Sequence, residues 1–237
     1  MGLLAQVSTP LQPYPAASKE VSCSRCGQRG CGSAPEAARL CTWPTLVTAL
    51  RLVGSLGLLA AGCSMRSPTL LGAGLLLHFV GDVLDGQLAR RLGLETRSGA
   101  VLDILSDRLA VSLFYAGYLG LHPGWALPIS LFLLQFLVVD QYLSLAFLLF
   151  PPLTSPNYFH LIDRPIYRAN WTWWSKAANT GTVTVLLAVL RAPGPATAAA
   201  VALVGIKAWS LWRLHTRTPI GLNRVWCGAW PGVSAAR

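Results

Sequence analysis

Charge is scarce in this sequence, and acidic charge is scarcest of all. Only 12% of the 237 residues are Asp, Glu, Lys or Arg, against about 25% in a soluble domain, which excludes an ordinary water-solvated globule. The first 43 residues contain no apolar h-region. Nothing there has the form of a signal peptide, and the polar N-terminal segment is expected to stay on the side where it is made. No internal repeat is visible. Six cysteines occur, and Cys23, Cys26, Cys31 and Cys41 lie in or near the N-terminal tail. Cys23 and Cys26 form a CxxC, but no histidine lies nearby and the spacing fits no zinc module. They are expected to be reduced thiols of a flexible cytoplasmic tail, without disulfides.

What is present is apolarity: 53% of residues are hydrophobic and the mean hydropathy is +0.50. At 1.5 Å per residue, about 20 apolar residues cross the ~30 Å of a bilayer core. The sequence predicts helices near 44–64, 69–91, 98–120, 124–150, 172–191 and 195–214. Pro- and Gly-containing breakers lie between them at "SMRSP", "LHPG", "FPPLTSPN" and "APGP". Residues 1–42, rich in Ser, Pro, Ala and Gly, are expected to be a disordered tail. Residues 43–214 form the six-helix domain, and 215–237 a second tail.

The net charge of +10 does not imply nucleic acid, because the basic residues sit in short clusters between apolar runs, where anionic headgroups would meet them. With the N-terminus inside, fourteen Lys and Arg lie on the cytoplasmic side and two, Arg66 and Arg191, on the other. That bias predicts a multi-pass membrane protein with both termini and the loops near 90–98 and 151–171 in the cytoplasm.

Four of the six aspartates, Asp82, Asp85, Asp103 and Asp107, fall within 26 residues, inside or beside apolar helices. Ionisable groups there cost several kcal/mol and mark function. Asp82 and Asp85 are three apart and Asp103 and Asp107 four apart, so each pair shares a helix face. Gly86, Ala89 and Gly99 lie on those same faces and leave room for a ligand or a neighbouring helix. Four close carboxylates need compensating cations, in part Arg90 and Arg108. Oxygen ligands without Cys or His suit Mg²⁺ or Mn²⁺. The alternative is ion-pair glue between aspartates and arginines.

These residues fill every fixed position of D-x2-D-G-x2-A-R-x8-G-x3-D-x3-D, from Asp82 to Asp107. The pattern resembles the signature of the CDP-alcohol phosphatidyltransferase family. The stretch "PTLVTALR", Pro44 to Arg51, is similar to that family's first-helix motif, with Trp43 and Pro44 near its usual asparagine. The resemblance covers residues 43 to about 213. It implies an all-α, six-helix membrane domain, usually a homodimer, with a polar metal-containing cavity open to the cytoplasm. It implies two divalent cations on Asp82, Asp85 and Asp103, a site that Asp107 completes, with Asp107 also as general base. It implies CDP-diacylglycerol as donor, near Gly86, Arg90, Thr96 and Gly99, with Thr45 and Thr48 as further contacts.

The acceptor implied is a small alcohol. Ile104 stands where many glycerol 3-phosphate enzymes have proline after the third aspartate, so inositol or inositol phosphate is favoured and glycerol 3-phosphate comes next. Arg108, Arg164, Arg168 and Lys176 are candidates for an acceptor phosphate, and Arg164 and Arg168 read equally as headgroup anchors. Asp140 and Gln141 suit either a polyol or helix packing. Lys207 suits snorkelling or an acidic partner, and Trp171, Trp173 and Trp174 suit an interfacial belt. Two rival readings remain: an intramembrane Mg²⁺-dependent prenyltransferase, and a cation transporter with intramembrane Asp ligands, although the two related halves common in transporters are not seen.

Overall fold

Each apolar run between the breakers folds as a helix, and no strand occurs among the described residues, 43–92, 95–150 and 153–217 of a computed structural model. The cysteine-containing tail and residues 218–237 lie outside them. Helices α1 (Trp43–Ser64), α2 (Pro68–Leu92) and α3 (Arg97–Leu121) come first. A bent rod, Pro123–Leu149, follows; in it α4 (Ala126–Leu134) and α5 (Gln141–Leu145) are joined by a π-helical segment, Gln135–Asp140. Then come the short α6 (Arg164–Asn170), α7 (Trp173–Thr184), which continues as a π turn Val185–Val189, and α8 (Pro193–Arg217). The six long elements stand within three residues of their expected bounds. The region near 151–171, expected as a loop, also holds a 3₁₀ turn, Pro156–Leu161, and α6. Asp163 caps α6 by accepting from the Ile166 N–H at 2.9 Å, a local preference that the search for long apolar periods passed over.

Four elements have the length and apolarity to cross a membrane: Thr45–Ser64, Pro68–Leu92, Pro123–Leu149 and Pro193–Arg217. Large apolar side chains face outward on them, among them Leu50, Val53, Leu76, Val83, Leu134 and Val201. Polar side chains face inward: Thr48, Arg51, His78, Asp85, Gln135, Asp140, Asn170, Asn179 and Lys207 are buried. Water as the only solvent would reverse this arrangement, whereas lipid permits it. The chain is a membrane protein. Of the other two elements, α3 carries Arg97, Asp103, Asp107 and Arg108.

Helices α1 and α2 approach closely because glycines stand at their crossing. A Cβ on Gly62 would lie 2.9 Å from the Leu71 backbone nitrogen, and one on Gly74 would lie 2.8 Å from Leu59 Cγ. Leu59 and Leu71 are fully buried and belong to a core with Val111, Phe114, Tyr115 and Phe132. A second core, around Phe147, Phe150, Phe159, Ile166, Trp171 and Leu214, joins α6, α8 and the C-terminal end of the rod. The two cores hold the helix ends that carry the aspartates. Gly74→Val is expected to lower stability by about 1–3 kcal/mol through overpacking. Gly72→Ala, where nothing lies within 4 Å of the added carbon, should leave the melting midpoint in detergent the same or slightly higher.

Candidate active site

One turn of three helices converges on the signature carboxylates. Thr45, Thr48 and Arg51 line the N-terminal part of α1. Asp82, Asp85, Gly86 and Arg90 stand near the C-terminal end of α2, and Gly99, Asp103 and Asp107 on the first turns of α3. Their i, i+3 and i, i+4 spacings turn both pairs inward, as the helical period requires. Thr96 caps α3 by accepting from the Gly99 N–H at 2.9 Å. A Cβ on Gly99 would stand 2.8 Å from the Thr96 oxygen, so glycine permits the cap.

Ligand oxygens of Asp82, Asp85 and Asp103 lie within 4.8 Å of one another. Octahedral Mg²⁺, with oxygens at about 2.1 Å, spans at most about 4.2 Å between opposite ligands, so this all-oxygen triad fits a hard divalent cation with slight contraction. Asp107 borders the same cavity but lies outside that triad. Its Oδ1 accepts a hydrogen bond from His78 Nε2 at 2.8 Å. Against an ionised carboxylate, which only accepts, the ring proton sits on Nε2. His78 is fully buried, and its Nδ1 has no hydrogen-bond partner.

The positive charge among the carboxylates comes from Arg51. Its Nη1 lies 3.1 Å from Asp82 Oδ1, its Nε 3.3 Å from Asp85 Oδ2 and its Nη2 3.1 Å from Asp103 Oδ1. Nη1 also donates to the His78 carbonyl at 3.1 Å, and Thr48 donates to Asp85 at 2.8 Å. The expectation that Arg90 and Arg108 supply this charge is corrected for Arg108. It donates to Asp140 at 2.6 Å, to Gln141 at 2.8 Å and to Ser144 at 3.0 Å, and packs over the Phe136 ring. Arg90 borders the cavity beside Gly86.

The open cavity, about 1290 Å³ with its mouth, is bordered by every expected carboxylate and donor-side residue: Thr45, Thr48, Asp82, Asp85, Gly86, Arg90, Thr96, Gly99, Asp103 and Asp107. Arg108 and Lys176 border it too, whereas Arg164 and Arg168 are exposed on α6 and stand outside it. Away from the aspartates its wall includes the polar residues Ser144, Asn157, Asn170, Asn179 and Thr180 beside the apolar Val111, Phe136, Pro156 and Trp171. Asp140, which also borders the cavity, accepts from Lys207 as well as Arg108, and Lys207 also donates to Asn170 at 2.9 Å. The acidic-partner reading of Lys207 holds, and Asp140 and Gln141 tie helices together. Trp171 departs from the interfacial-belt expectation: it is 5% exposed and packs on Phe159, while Trp173 and Trp174 are exposed and stacked on each other.

Arg51 ends the first-helix motif read from the sequence but carries no assigned role there, and His78 escaped the sequence reading. Each left a signal, since Arg51 is a lone cation in an apolar run and His78 lies one helical turn before Asp82 on the same face. A family model described as CDP-alcohol phosphatidyltransferase matches residues 41–213. No curated protein and no solved structure matches the chain.

Asp140→Asn leaves two buried cations without their carboxylate and is expected to cost about 3–5 kcal/mol, as loss of one member of a buried ion pair does. Lys207→Met, which leaves the Arg108–Asp140 pair intact, should cost less. Thermal unfolding in detergent ranks the two.

Proposed function

The chain belongs to the CDP-alcohol phosphatidyltransferase family, and from that membership we propose that it moves the phosphatidyl group of CDP-diacylglycerol to a hydroxyl of a small alcohol and releases CMP. Members of the family are phosphotransferases that carry out phosphatidyl transfer in phospholipid biosynthesis. The observation that carries the proposal is the gathering of all four signature aspartates on one cavity, with three of them in ligating range of one another.

Asp82, Asp85 and Asp103 would hold two divalent ions, Mg²⁺ or Mn²⁺, with Asp107 completing the site. Bound there, the ions neutralise the donor's pyrophosphate and make CMP a better leaving group. Gly86 and Gly99 let the nucleotide approach the helices, and Arg90, Thr96, Thr45 and Thr48 border its pocket. His78 fixes one oxygen of Asp107, which takes the proton of the acceptor hydroxyl. The acceptor oxygen then bonds to the lipid-side phosphorus. The bond from that phosphorus to the CMP oxygen breaks, and CMP departs with its electrons. The donor's acyl chains remain in lipid throughout.

The acceptor we favour is inositol or inositol phosphate, then glycerol 3-phosphate. The amide and hydroxyl wall of Ser144, Asn157, Asn170, Asn179 and Thr180 suits a polyol, with Arg108 and Lys176 at its border. The exposed positions of Arg164 and Arg168 favour the headgroup-anchor reading for that pair. Six spans, both termini and the cavity on the cytoplasmic side, and a homodimer complete the proposal. The positive-inside count and the family resemblance support it. A prenyltransferase or a cation transporter would yield no CMP.

Purified protein given CDP-diacylglycerol and Mn²⁺ should release CMP with one of inositol, inositol phosphate or glycerol 3-phosphate, and no release with any acceptor rejects the proposal. Chelation by EDTA should stop turnover, and Mg²⁺ or Mn²⁺ should restore it. Asp107→Asn is expected to lower kcat by about 10²–10⁴-fold, the usual yield of general acid–base catalysis, with an unchanged melting curve.

A further inference from the structure

Arg51 stands where a metal site has no obvious need of an arginine. Its side chain is 3% exposed and touches all three carboxylates of the triad. Its aliphatic stem passes α2 at Gly81, where a Cβ would overlap its Cγ and Cδ atoms. The passage is therefore built for this side chain. Its Nη1 is also tied to the His78 carbonyl, a neutral acceptor that does not depend on the aspartates being charged. The carboxylate oxygens that Arg51 engages belong to the same three residues whose oxygens lie in range to ligate an ion. Three carboxylates and one guanidinium leave a formal charge of −2, which the first of the two divalent cations proposed above balances.

We propose that Arg51 is the resident counter-ion of the metal site: it holds Asp82, Asp85 and Asp103 in register before a cation enters, and the cation then binds against it. Arg51 thereby sets the affinity of the site for divalent metal. The inference rests on the reading of the triad as a metal site given above. It separates two effects that a purely structural arginine would join. Without metal, Arg51 offsets repulsion among the carboxylates and stabilises the fold. With metal, its charge lies close to that of the ion and weakens binding.

The test uses the purified full chain in detergent without donor or acceptor. Mn²⁺ binding is followed by loss of the free-ion electron paramagnetic resonance signal, and unfolding by the thermal midpoint with and without Mn²⁺. Arg51→Met is expected to lower the metal-free midpoint, to bind Mn²⁺ at least tenfold more tightly than the parent, and to show a larger Mn²⁺-induced rise in midpoint. Gly81→Ala, which pushes the arginine aside while retaining it, should tighten Mn²⁺ binding in the same direction and covers the case in which Arg51→Met does not fold. Equal or weaker binding in the folded variants overturns the role of Arg51 while leaving the metal site standing. Absence of saturable Mn²⁺ binding in the parent chain overturns the metal site and this inference together.

Discussion

Three carboxylates from two neighbouring helices cannot face one cavity unless positive charge lies among them, and the rest of the bundle is arranged around that requirement. Asp82 and Asp85 come from α2 and Asp103 from α3, and the guanidinium that joins them comes from α1. A side chain so placed ties three helices at one point. The glycine contacts of α1 with α2 bring the backbones close enough for Arg51 to reach. Ion-pair glue and metal site are thus compatible descriptions of the same residues. The first describes the contacts that Arg51 makes with the aspartates, and the second is the proposal made for the same three residues.

A second charged centre stands across the cavity and obeys the same rule with a different balance. Asp140 lies between Arg108 and Lys207, so here cations exceed the carboxylate. Asn170 and Asn179 satisfy further hydrogen bonds of the group, as buried charges demand. This centre joins α3, the bent rod and α8, while the first joins α1, α2 and α3. Between them every long element except α7 is fixed by at least one buried ionic contact, and α7 joins through Asn179. The cavity is what remains between two such anchors, with the aspartates on one side and a mixed wall of amides, hydroxyls and aromatic rings on the other.

Much of this was legible in the sequence, and the misses share a cause. Helix bounds followed from Pro and Gly breakers, and the inward faces of α2 and α3 followed from spacings of three and four. Local periodicity carries that information. Arg51 meets Asp82 and Asp103 at separations of 31 and 52 residues, and no local pattern announces such a meeting. His78 was hidden because a histidine in an apolar run has many roles, and only its distance to Asp107 selects one. Trp171 looked like its two exposed neighbours until the short α6 placed it in the second core. Arg108 was assigned to the nearest acids in sequence, whereas its partners come from the bent rod 32 to 36 residues on.

The π-helical segment of the bent rod carries a further consequence. Gln135 and Asp140 are five residues apart, which in a regular α-helix sets side chains about 140° from each other. Both are nonetheless buried, because the wider turn takes up one additional residue. A length change of a single residue is absorbed within Gln135–Asp140, leaving Phe147 and Phe150 in their packing. Against a rod of regular helical pitch, every position after that stretch is therefore displaced by one residue, or about 100° around the helix.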